Sequence, residues 1–195
     1  MKRRAFPIVI SGPSGSGKTT ICRRVLEADP LIAYSVSVTT RPPRPGEVDR
    51  EHYEFVSDNE FDALINEGML AESAVVHGFR YGTRKTVIDG LLSEGLDVIM
   101  DLDVQGGMSM RKAYPESLLL FVLPPSSEEL EGRLRSRGTD AEHVIATRLR
   151  NAVEEHGWAD KYDHRVVNDD LDRVVEEVRG IIREEREKRT SGSGK

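Results

Sequence analysis

Several features on which large classes of protein depend are scarce in this sequence. Cys22 is the only cysteine in 195 residues, so no disulfide can form within the chain and nothing indicates an oxidising compartment. No hydrophobic run approaches the roughly 20 residues needed to span a bilayer. Residues 1–4 (MKRR) are not followed by the hydrophobic core of a signal peptide. These absences predict a cytoplasmic protein with no membrane partner.

An excess of charge of one sign is also lacking. The chain has 28 lysines and arginines against 34 aspartates and glutamates, for a net charge of -6. A general binder of nucleic acids or anionic membranes needs a broad basic face to offset phosphate charge, so we predict neither partner. The mixed charges also differ from the one-signed composition typical of disordered chains.

Hydrophobic runs alternate with helical patterns, which is typical of an α/β fold around a parallel sheet. Nearly continuous hydrophobic runs predict strands covered on both faces. The predicted strands are residues 6–10, 96–102, 117–123 and 164–167. The predicted helices are residues 18–28, 58–67, 86–94, 127–137, 141–160 and 171–189, with Ser57 or Asp58 capping the second and Ser126 or Ser127 the fourth.

The length fits one domain, residues 1–195, with two insertions over the strand ends. Residues 34–83 are rich in proline and short β patterns, and residues 126–157 are rich in arginine. The remaining core comprises about residues 5–33, 84–125 and 158–189. The last residues, 190–195 (TSGSGK), have a low-complexity composition that predicts a disordered tail.

A phosphate-binding motif lies ten residues into the chain, where residues 11–20 (SGPSGSGKTT) contain G-x-x-x-x-G-K-[ST]. Glycines let the backbone curl its N–H groups around phosphate oxygens, and the helix that follows adds its positive end. The alternative is a Gly/Ser turn without a ligand, but the position between a predicted strand and a predicted helix favours phosphate binding. The predicted ATP-binding residues of this loop are Gly12, Pro13, Ser14, Gly15, Ser16, Gly17, Lys18, Thr19 and Thr20.

Two arginines flank a pair of prolines in residues 35–47 (SVSVTTRPPRPGE). Polyproline II geometry, with three residues per turn at about 3.1 Å each, would keep Arg41 and Arg44 on one side roughly 9 Å apart. Two planar guanidinium groups at that spacing could hold one phosphate from two directions. Tyr53 and Tyr81 could donate hydrogen bonds to the same phosphate, or could simply pack.

Residues 35–55 resemble the monophosphate-binding segment of guanylate kinases, S-x-S-x-T-T-R-x-P-R-x-G-E followed by Y-x-F. The similarity continues in chain order through Glu72, residues 81–83, 101–106 and 137–139, Arg148 and residues 168–170. The resemblance implies a P-loop core of three layers, with a parallel sheet flanked by helices. It also implies a mixed GMP-binding insertion at residues 34–83 and a helical lid at residues 126–157. The implied reaction is transfer of the γ-phosphate of ATP to GMP, and to dGMP, in purine nucleotide metabolism.

The resemblance also assigns roles to single residues. The guanine-reading positions are Ser37, Glu72, Thr83 and Asp103, and the positions that hold the GMP phosphate are Arg41, Arg44, Tyr53 and Tyr81. Guanine presents two donors at its N1 and amino groups, so carboxylates are matching acceptors, whereas adenine offers an acceptor at N1. In the alternative interpretation these carboxylates are solvated charges or polar strand ends, but the carboxyl ends of parallel strands face the ligand crevice.

Phosphoryl transfer needs cations around the moving group, and Mg²⁺ is the implied cofactor. The resemblance places Lys18, Arg41, Arg137 and Arg148 at the transfer site, Arg133 and Arg137 on ATP, and Asn168 near the adenine. Thr19 is assigned to Mg²⁺ directly and Asp101 through water. Strand alternation predicts that Asp101 and Asp103 point to the same side. Arg135 and Arg150 are better explained as partners of surface glutamates.

The sequence departs from the guanylate kinase pattern at several positions. Arg50 stands where glycine is usual and predicts a changed turn before Tyr53, and Ser73 replaces a common tryptophan. Arg84 replaces a small residue or proline, and residues 164–165 interrupt a strand that is normally apolar.

Three functions are compatible with these motifs. The first is a guanylate kinase with ATP and GMP as its small-molecule partners, acting as a monomer or small homo-oligomer. The second is a related kinase of a phosphorylated sugar, and the third is a non-catalytic binding module. The retained set of guanine-reading residues favours the first over the second, because a sugar has no guanine edge. The intact phosphate loop and Arg148 favour it over the third.

Overall fold

The computed structural model describes residues 4–76, 78–136 and 141–191. Its strands are β1 (Pro7–Ser11), β2 (Ile32–Tyr34), β3 (Val38–Thr39), β4 (Glu54–Phe55), β5 (Leu70–Val76), β6 (Phe79–Arg84), β7 (Asp97–Asp101), β8 (Leu118–Leu123) and β9 (His164–Val167). Its α-helices are α1 (Lys18–Ala28), α2 (Asp58–Asn66), α3 (Lys85–Glu94), α4 (Val104–Ala113), α5 (Ser127–Ser136), α6 (Glu142–His156) and α7 (Leu171–Ser191), and Ala159–Lys161 form a 3₁₀ turn.

The larger sheet has five parallel strands in the order β2-β7-β1-β8-β9. Strand β1 is buried along its whole length because helices cover both faces of the sheet. On one face, residues of α1 and α7 such as Val25 and Val178 pack against the strands. On the other face, Ile88 of α3 and Met110 of α4 do so. The predicted fold class, a parallel sheet between helical layers, is therefore confirmed.

A separate four-stranded sheet is formed between residues 38 and 84, in the order β4-β3-β6-β5. It is mixed, because β3 pairs with β4 in parallel and with β6 antiparallel. Helix α2 covers this sheet, and Phe61 and Leu64 pack on Val38 in a small hydrophobic cluster of their own. The predicted mixed insertion is thus present as a second sheet with its own core.

Helix ends follow the predicted capping residues in two places. Ser57 caps α2 in a reciprocal arrangement with Glu60, in which each side chain accepts a hydrogen bond from the backbone N–H of the other residue. Ser126 accepts a hydrogen bond from the backbone N–H of Glu129 at the start of α5.

Other helix bounds differ from the prediction. The predicted helix 141–160 ends at His156, where Gly157, a poor helix former, is followed by the 3₁₀ turn. Helix α7 continues through Thr190 and Ser191, two residues that we expected in the tail. Residues 192–195 of that predicted tail lie outside the described residues.

Helix α4 was not predicted from the sequence. Its first turns contain Gly106 and Gly107, which are weak helix formers. Packing explains both glycines: a Cβ on Gly107 would collide with the hydroxyl of Tyr162, and one on Gly106 would lie 3.0 Å from a carboxylate oxygen of Glu72. Contacts with distant residues therefore require glycine at both positions, and these glycines lower the predicted helix propensity of the segment.

The polar residues His164 and Arg165 are tolerated in β9 because this strand is at the edge of the sheet. Arg165 is exposed there, whereas Val166 is buried against the sheet core. Among the residues that the structure describes, no helix is both long enough and apolar enough to cross a membrane.

A buried ion network fixes α7 to the opposite end of the sheet from the phosphate loop. The guanidinium of Arg186 donates to Asp97 Oδ2 at 2.7 Å and to Asp29 Oδ2 at 2.6 Å. Asp97 is fully buried, and its other oxygen accepts a hydrogen bond from the backbone N–H of Phe6. The network joins α7 to the beginnings of β1 and β7 and to the end of α1.

Candidate active site

The phosphate loop lies between the last residue of β1 and the first residue of α1. Gly12, Gly15 and Gly17 have φ values of 141°, 92° and 97°, a region that residues with a side chain rarely adopt. A Cβ on Gly12 would also collide with the backbone carbonyl of Val122 in β8. The loop therefore has the tightly curled backbone that the motif predicts.

Lys18 lies across its own loop. Its ammonium donates to the carbonyl oxygens of Gly12 at 2.5 Å and of Pro13 at 2.9 Å. Burial lowers the pKa of Lys18 below its usual value, although Asp101 and other acids act in the opposite direction. The cation is held at the centre of the loop, where a nucleotide phosphate would supply the missing negative charge.

The Asp101 carboxylate at the end of β7 accepts two short hydrogen bonds. Thr19 Oγ1 donates to Oδ2 at 2.6 Å, and the hydroxyl of Tyr34 donates to Oδ1 at 2.5 Å. Burial and the neighbouring carboxylate raise the pKa of Tyr34 well above its usual value, so its hydroxyl stays a donor. We did not identify Tyr34 from the sequence, because no local pattern joins it to Asp101.

The predicted alternation of Asp101 and Asp103 does not apply, because the strand ends at Asp101 and Asp103 lies beyond it. Asp103 is instead the N-cap of α4, and its side chain accepts a hydrogen bond from the backbone N–H of Gly106 at 2.7 Å. The two carboxylates therefore have different hydrogen-bond partners, although both act on the charge of Lys18.

Glu72 and Asp103 converge at the beginning of α4. Glu72 is 6% exposed and accepts a hydrogen bond from Thr83 Oγ1 at 2.6 Å, across the pairing of β5 with β6. A Cβ on Gly106 would lie 3.0 Å from Glu72 Oε2 and 3.2 Å from Asp103 Oδ1. Burial raises the pKa of Glu72 to about 7, and Asp103 adds to this effect whereas Thr83 opposes it. Ser37, the fourth predicted guanine-reading residue, is partly buried immediately before β3.

Arg41 is buried among aromatic rings. It is 7% exposed, and its guanidinium carbon lies 5.2 Å from the ring centre of Tyr53 and 5.8 Å from that of Phe55. The rings of Tyr53 and Tyr81 are 5.9 Å apart and meet edge to face. Three of the four predicted phosphate-holding residues thus lie together, whereas the fourth, Arg44, is exposed.

Glu47 joins the two arginines of this segment in a way that sequence reasoning missed. Its Oε1 accepts from Arg41 Nη2 at 2.8 Å, and its Oε2 accepts from the backbone N–H of Arg44 at 2.7 Å. The hydrogen bond from Arg41 holds the pKa of Glu47 below its usual value. The contact could have been suspected only from the closeness of Glu47 to Arg41 in the chain.

Two departures from the family pattern have local explanations. Arg50 has a φ of 63°, the left-handed conformation that glycine favours, so an arginine adopts it here at a cost in backbone strain. Arg84 forms two hydrogen bonds of 2.6 Å with Glu54, so its larger side chain connects β6 to β4.

Two of the three predicted lid arginines contact the phosphate loop or the residue beside it. Arg148 of α6 donates to Ser14 Oγ of the phosphate loop at 3.4 Å. Arg133 of α5 donates at 2.8 Å to the carbonyl oxygen of Asn168, whose side-chain amide in turn donates to the carbonyl oxygen of Ser16 at 2.7 Å. Arg137 lies outside the described residues.

The two arginines that we expected on a solvated face differ from each other. Arg135 pairs with Glu131 and Glu142, as expected. Arg150 is exposed but donates to Thr147.

Within residues 4–76, 78–136 and 141–191, no group of three or more His, Cys, Asp or Glu side chains could hold a metal ion. The oxygen ligands of Thr19 and Asp101 nevertheless fit Mg²⁺, which commonly takes one or two protein ligands and completes its shell with substrate phosphates and water.

Known proteins similar to this chain are guanylate kinases. A family model described as guanylate kinase matches residues 4–185. This chain belongs to the guanylate kinase family. A guanylate kinase of Sphingopyxis alaskensis is 48% identical over 190 residues, which cover 97% of this chain and 86% of that protein. One of Caldanaerobacter subterraneus is 44% identical over 182 residues, or 93% and 88% of the two chains.

A solved structure supports the same family at the level of the fold. The crystal structure of guanylate kinase from Anaplasma phagocytophilum has a TM-score of 0.79 and 30% sequence identity, and covers 95% of this chain and 88% of that one. Membership in the guanylate kinase family confirms the predicted enzyme class, an ATP-dependent nucleoside monophosphate kinase that transfers a phosphoryl group.

Proposed function

We propose that this protein transfers the γ-phosphate of ATP to GMP, and to dGMP, giving ADP and GDP or dGDP. The convergence of Glu72 and Asp103 at Gly106 is the observation that carries the proposal. These carboxylates lie beside the phosphate loop, because Ser11 Oγ at the end of β1 donates to the carbonyl oxygen of Asp103 at 3.3 Å. A base bound at the carboxylates would place its phosphate toward the nucleotide held by the loop.

The carboxylate pair selects guanine by hydrogen-bond chemistry. The N1–H and the amino group of guanine both donate, so they satisfy Glu72 and Asp103 after water has left the site. AMP would present an acceptor at N1 and leave a buried carboxylate oxygen without the donor that guanine supplies, which costs roughly 1–3 kcal/mol or more. Thr83 holds Glu72 in place through its hydroxyl, and Ser37 completes the proposed base site.

The GMP phosphate is held at the other end of the nucleotide. Arg41 packs on the ring of Tyr53 and its guanidinium is held by Glu47, so its orientation is set before the substrate binds. Tyr53 and Tyr81 supply hydroxyl donors, and the exposed side chain of Arg44 closes over the phosphate from the solvent side.

The transferred phosphoryl group is surrounded by cations from the phosphate loop and from residues 126–157. Lys18 and the loop backbone hold the ATP phosphates, Arg148 reaches the loop from α6, and Arg137 is assigned to the same role. Arg133 and Asn168 lie at the edge of the loop, where they contact the remainder of ATP. Protein cations in these positions align the two phosphates and offset charge during transfer.

Thr19 would hold Mg²⁺ directly and Asp101 would hold it through water. When bound, the ion neutralises charge on the ATP phosphates. The segments 34–83 and 126–157 are accordingly proposed as the GMP-binding insertion and the lid of a single domain. We further propose a cytoplasmic monomer or small homo-oligomer.

The direct test is an acceptor assay. The purified protein is incubated with ATP and Mg²⁺ against GMP, dGMP, AMP, dTMP and ribose 1,5-bisphosphate, and ADP and the phosphorylated acceptor are quantified together. We expect rapid formation of GDP and dGDP, and no phosphorylation of AMP. Phosphorylation of the sugar alone would reject the guanine assignments, and no reaction with any acceptor would favour a binding module.

A further inference from the structure

The Asp101 carboxylate is oriented from both of its oxygens. Thr19 reaches Oδ2 from α1, and Tyr34 reaches Oδ1 from β2. A carboxylate on a short side chain can rotate, but a donor on each oxygen leaves one favoured orientation. The hydroxyl of Tyr34 is the donor with no role in the proposed reaction.

Tyr34 is itself held rigidly. Strand β2 pairs with β7 from Ile32 to Tyr34, and the next backbone N–H, of Ser35, donates to the carbonyl oxygen of Ile99 at 3.0 Å. The Tyr34 ring packs against the hydrophobic cluster of α1 and the sheet, which limits its rotation. The Tyr34 hydroxyl is therefore held in one position, from which it can orient the Asp101 carboxylate.

We propose that Tyr34 is a positioning residue that orients the Asp101 carboxylate toward the Mg²⁺ of the bound nucleotide. The proposal rests on the proposed function for the assignment of Asp101. Because Asp101 reaches the ion through water, its contribution depends on the direction in which Oδ2 points, and Tyr34 fixes that direction by holding Oδ1.

A merely structural role for the hydroxyl makes a different prediction. Strand β2 already has its backbone pairing with β7, and phenylalanine would keep the ring packing. A structural hydroxyl would thus affect the unfolding temperature alone. A positioning hydroxyl affects how strongly Mg²⁺ enhances nucleotide binding.

Tyr34→Phe is the test variant, and Tyr114→Phe is its matched control. Tyr114 also donates its hydroxyl to an aspartate, Asp89, at 2.8 Å, but this pair joins α4 to α3 away from the phosphate loop. Calorimetry measures the affinity of each protein for a non-hydrolysable ATP analogue, once with Mg²⁺ and once with a chelator. The ratio of the two affinities is the Mg²⁺ enhancement.

We expect the Mg²⁺ enhancement to fall about tenfold in Tyr34→Phe, the order of magnitude of one hydrogen bond to a charged group, and to stay unchanged in Tyr114→Phe. Equal enhancements in the wild type and Tyr34→Phe would overturn the proposal, with or without a lower unfolding temperature. A wild type without Mg²⁺ enhancement would overturn it as well.

The calorimetry needs no GMP, so a failure of this inference can be distinguished from a failure of the proposed function. A wild type that forms no GDP rejects the proposed acceptor, while the enhancement ratio still decides the role of Tyr34. Normal GDP formation with equal ratios rejects only the role of Tyr34.

Discussion

The phosphate loop comes from one continuous stretch of chain, whereas the cluster around Glu72 joins stretches that are far apart in the sequence. Lys18 finds its partners in the carbonyl groups of its own loop, and Glu72 finds its partner on the neighbouring strand. Burial nevertheless acts on both in the same sense: it lowers the pKa of Lys18 and raises that of Glu72. In each half of the site, burial therefore disfavours the charged form of the side chain until a ligand supplies an interacting partner. For Lys18 that partner is a phosphate, and for Glu72 it is a hydrogen-bond donor.

If this comparison is right, loss of the Lys18 cation is expected to have the largest effect. Lys18→Met should lower kcat by about a thousandfold, because the charge that stabilises the moving phosphoryl group is gone. The unfolding temperature should not fall, because burial already opposes this charge. Kinetics and thermal unfolding measure the two effects.

Lys85→Met is the matched control for that variant. Lys85 also donates to a backbone carbonyl, that of Gly68 at 2.8 Å, but it is the first residue of α3 and does not belong to the phosphate loop. Its kcat should match the wild type. A comparable loss in both variants would mean that general charge, and not position in the loop, governs turnover.

Glu72→Gln should separate the two substrates. We expect kcat/KM for GMP to fall by the equivalent of about 2–4 kcal/mol, because an amide cannot accept from guanine as a carboxylate does. The affinity for ATP should be unchanged, since the loop is built independently. Steady-state kinetics with each nucleotide varied tests this, and Glu67→Gln, at an exposed position after α2, is the control. Unchanged use of GMP would remove Glu72 from the base site.

The raised pKa of Glu72 predicts how GMP binding changes with pH. The ionised carboxylate of Glu72 is the stronger acceptor for a guanine donor, and the group is protonated in the empty site below about pH 7. GMP affinity should therefore weaken as the pH falls below 7, by up to about tenfold per unit. Calorimetry across pH 5.5–8 measures the profile.

Glu72→Gln again provides the control, because the GMP phosphate itself titrates near pH 6. The difference between the two profiles isolates the titration of Glu72, and parallel profiles would show that Glu72 does not titrate in this range.

The effect of Glu72 on the stability of the empty protein changes with pH in the opposite direction to that of an ion-paired acid. Because the folded pKa of Glu72 lies above its usual value of 4.5, its contribution to the stability of the empty protein falls as the pH rises from 4.5 to 7.

The smallest expected effect concerns the turn at Arg50. Arg50→Gly should raise the free energy of unfolding by about 1 kcal/mol, because it relieves the left-handed conformation at φ 63°. Use of GMP should be retained. Denaturant unfolding measures the change, and Glu51→Gly should instead destabilise, since glycine there adds only freedom to the unfolded chain. Equal effects of the two substitutions would show that Arg50 is unstrained.

The two halves of the site also differ in what the sequence could predict. The position and curled backbone of the phosphate loop were predicted because its residues are consecutive and its glycines have one clear explanation. The strands β1, β7 and β8 were found from nearly continuous hydrophobic runs. By contrast, α4 was missed because Gly106 and Gly107 are required by contacts with distant residues.

Contacts between distant or polar residues explain the remaining gaps. Tyr34 is 67 positions from Asp101, and no local pattern joins them. Glu47 was counted as part of a motif, although its carboxylate bridges two arginine residues. The alternation assumed for Asp101 and Asp103 failed because a strand end is the least certain part of a hydrophobic pattern. The residue roles taken from the family stay predictions until the variants above are measured.

The ion network at Arg186 determines how far the chain can be shortened. The family match ends at residue 185, one position before the guanidinium that neutralises Asp97. A protein cut at that match would keep every residue proposed for the reaction, yet Asp97 would lose its buried cation. Removing one member of such a pair costs about 3–5 kcal/mol, a large share of the 5–15 kcal/mol that stabilises a typical domain. Arg186 therefore belongs to the stable fold, although its partner Asp97, the first residue of β7, is on the far side of the molecule from the proposed chemistry.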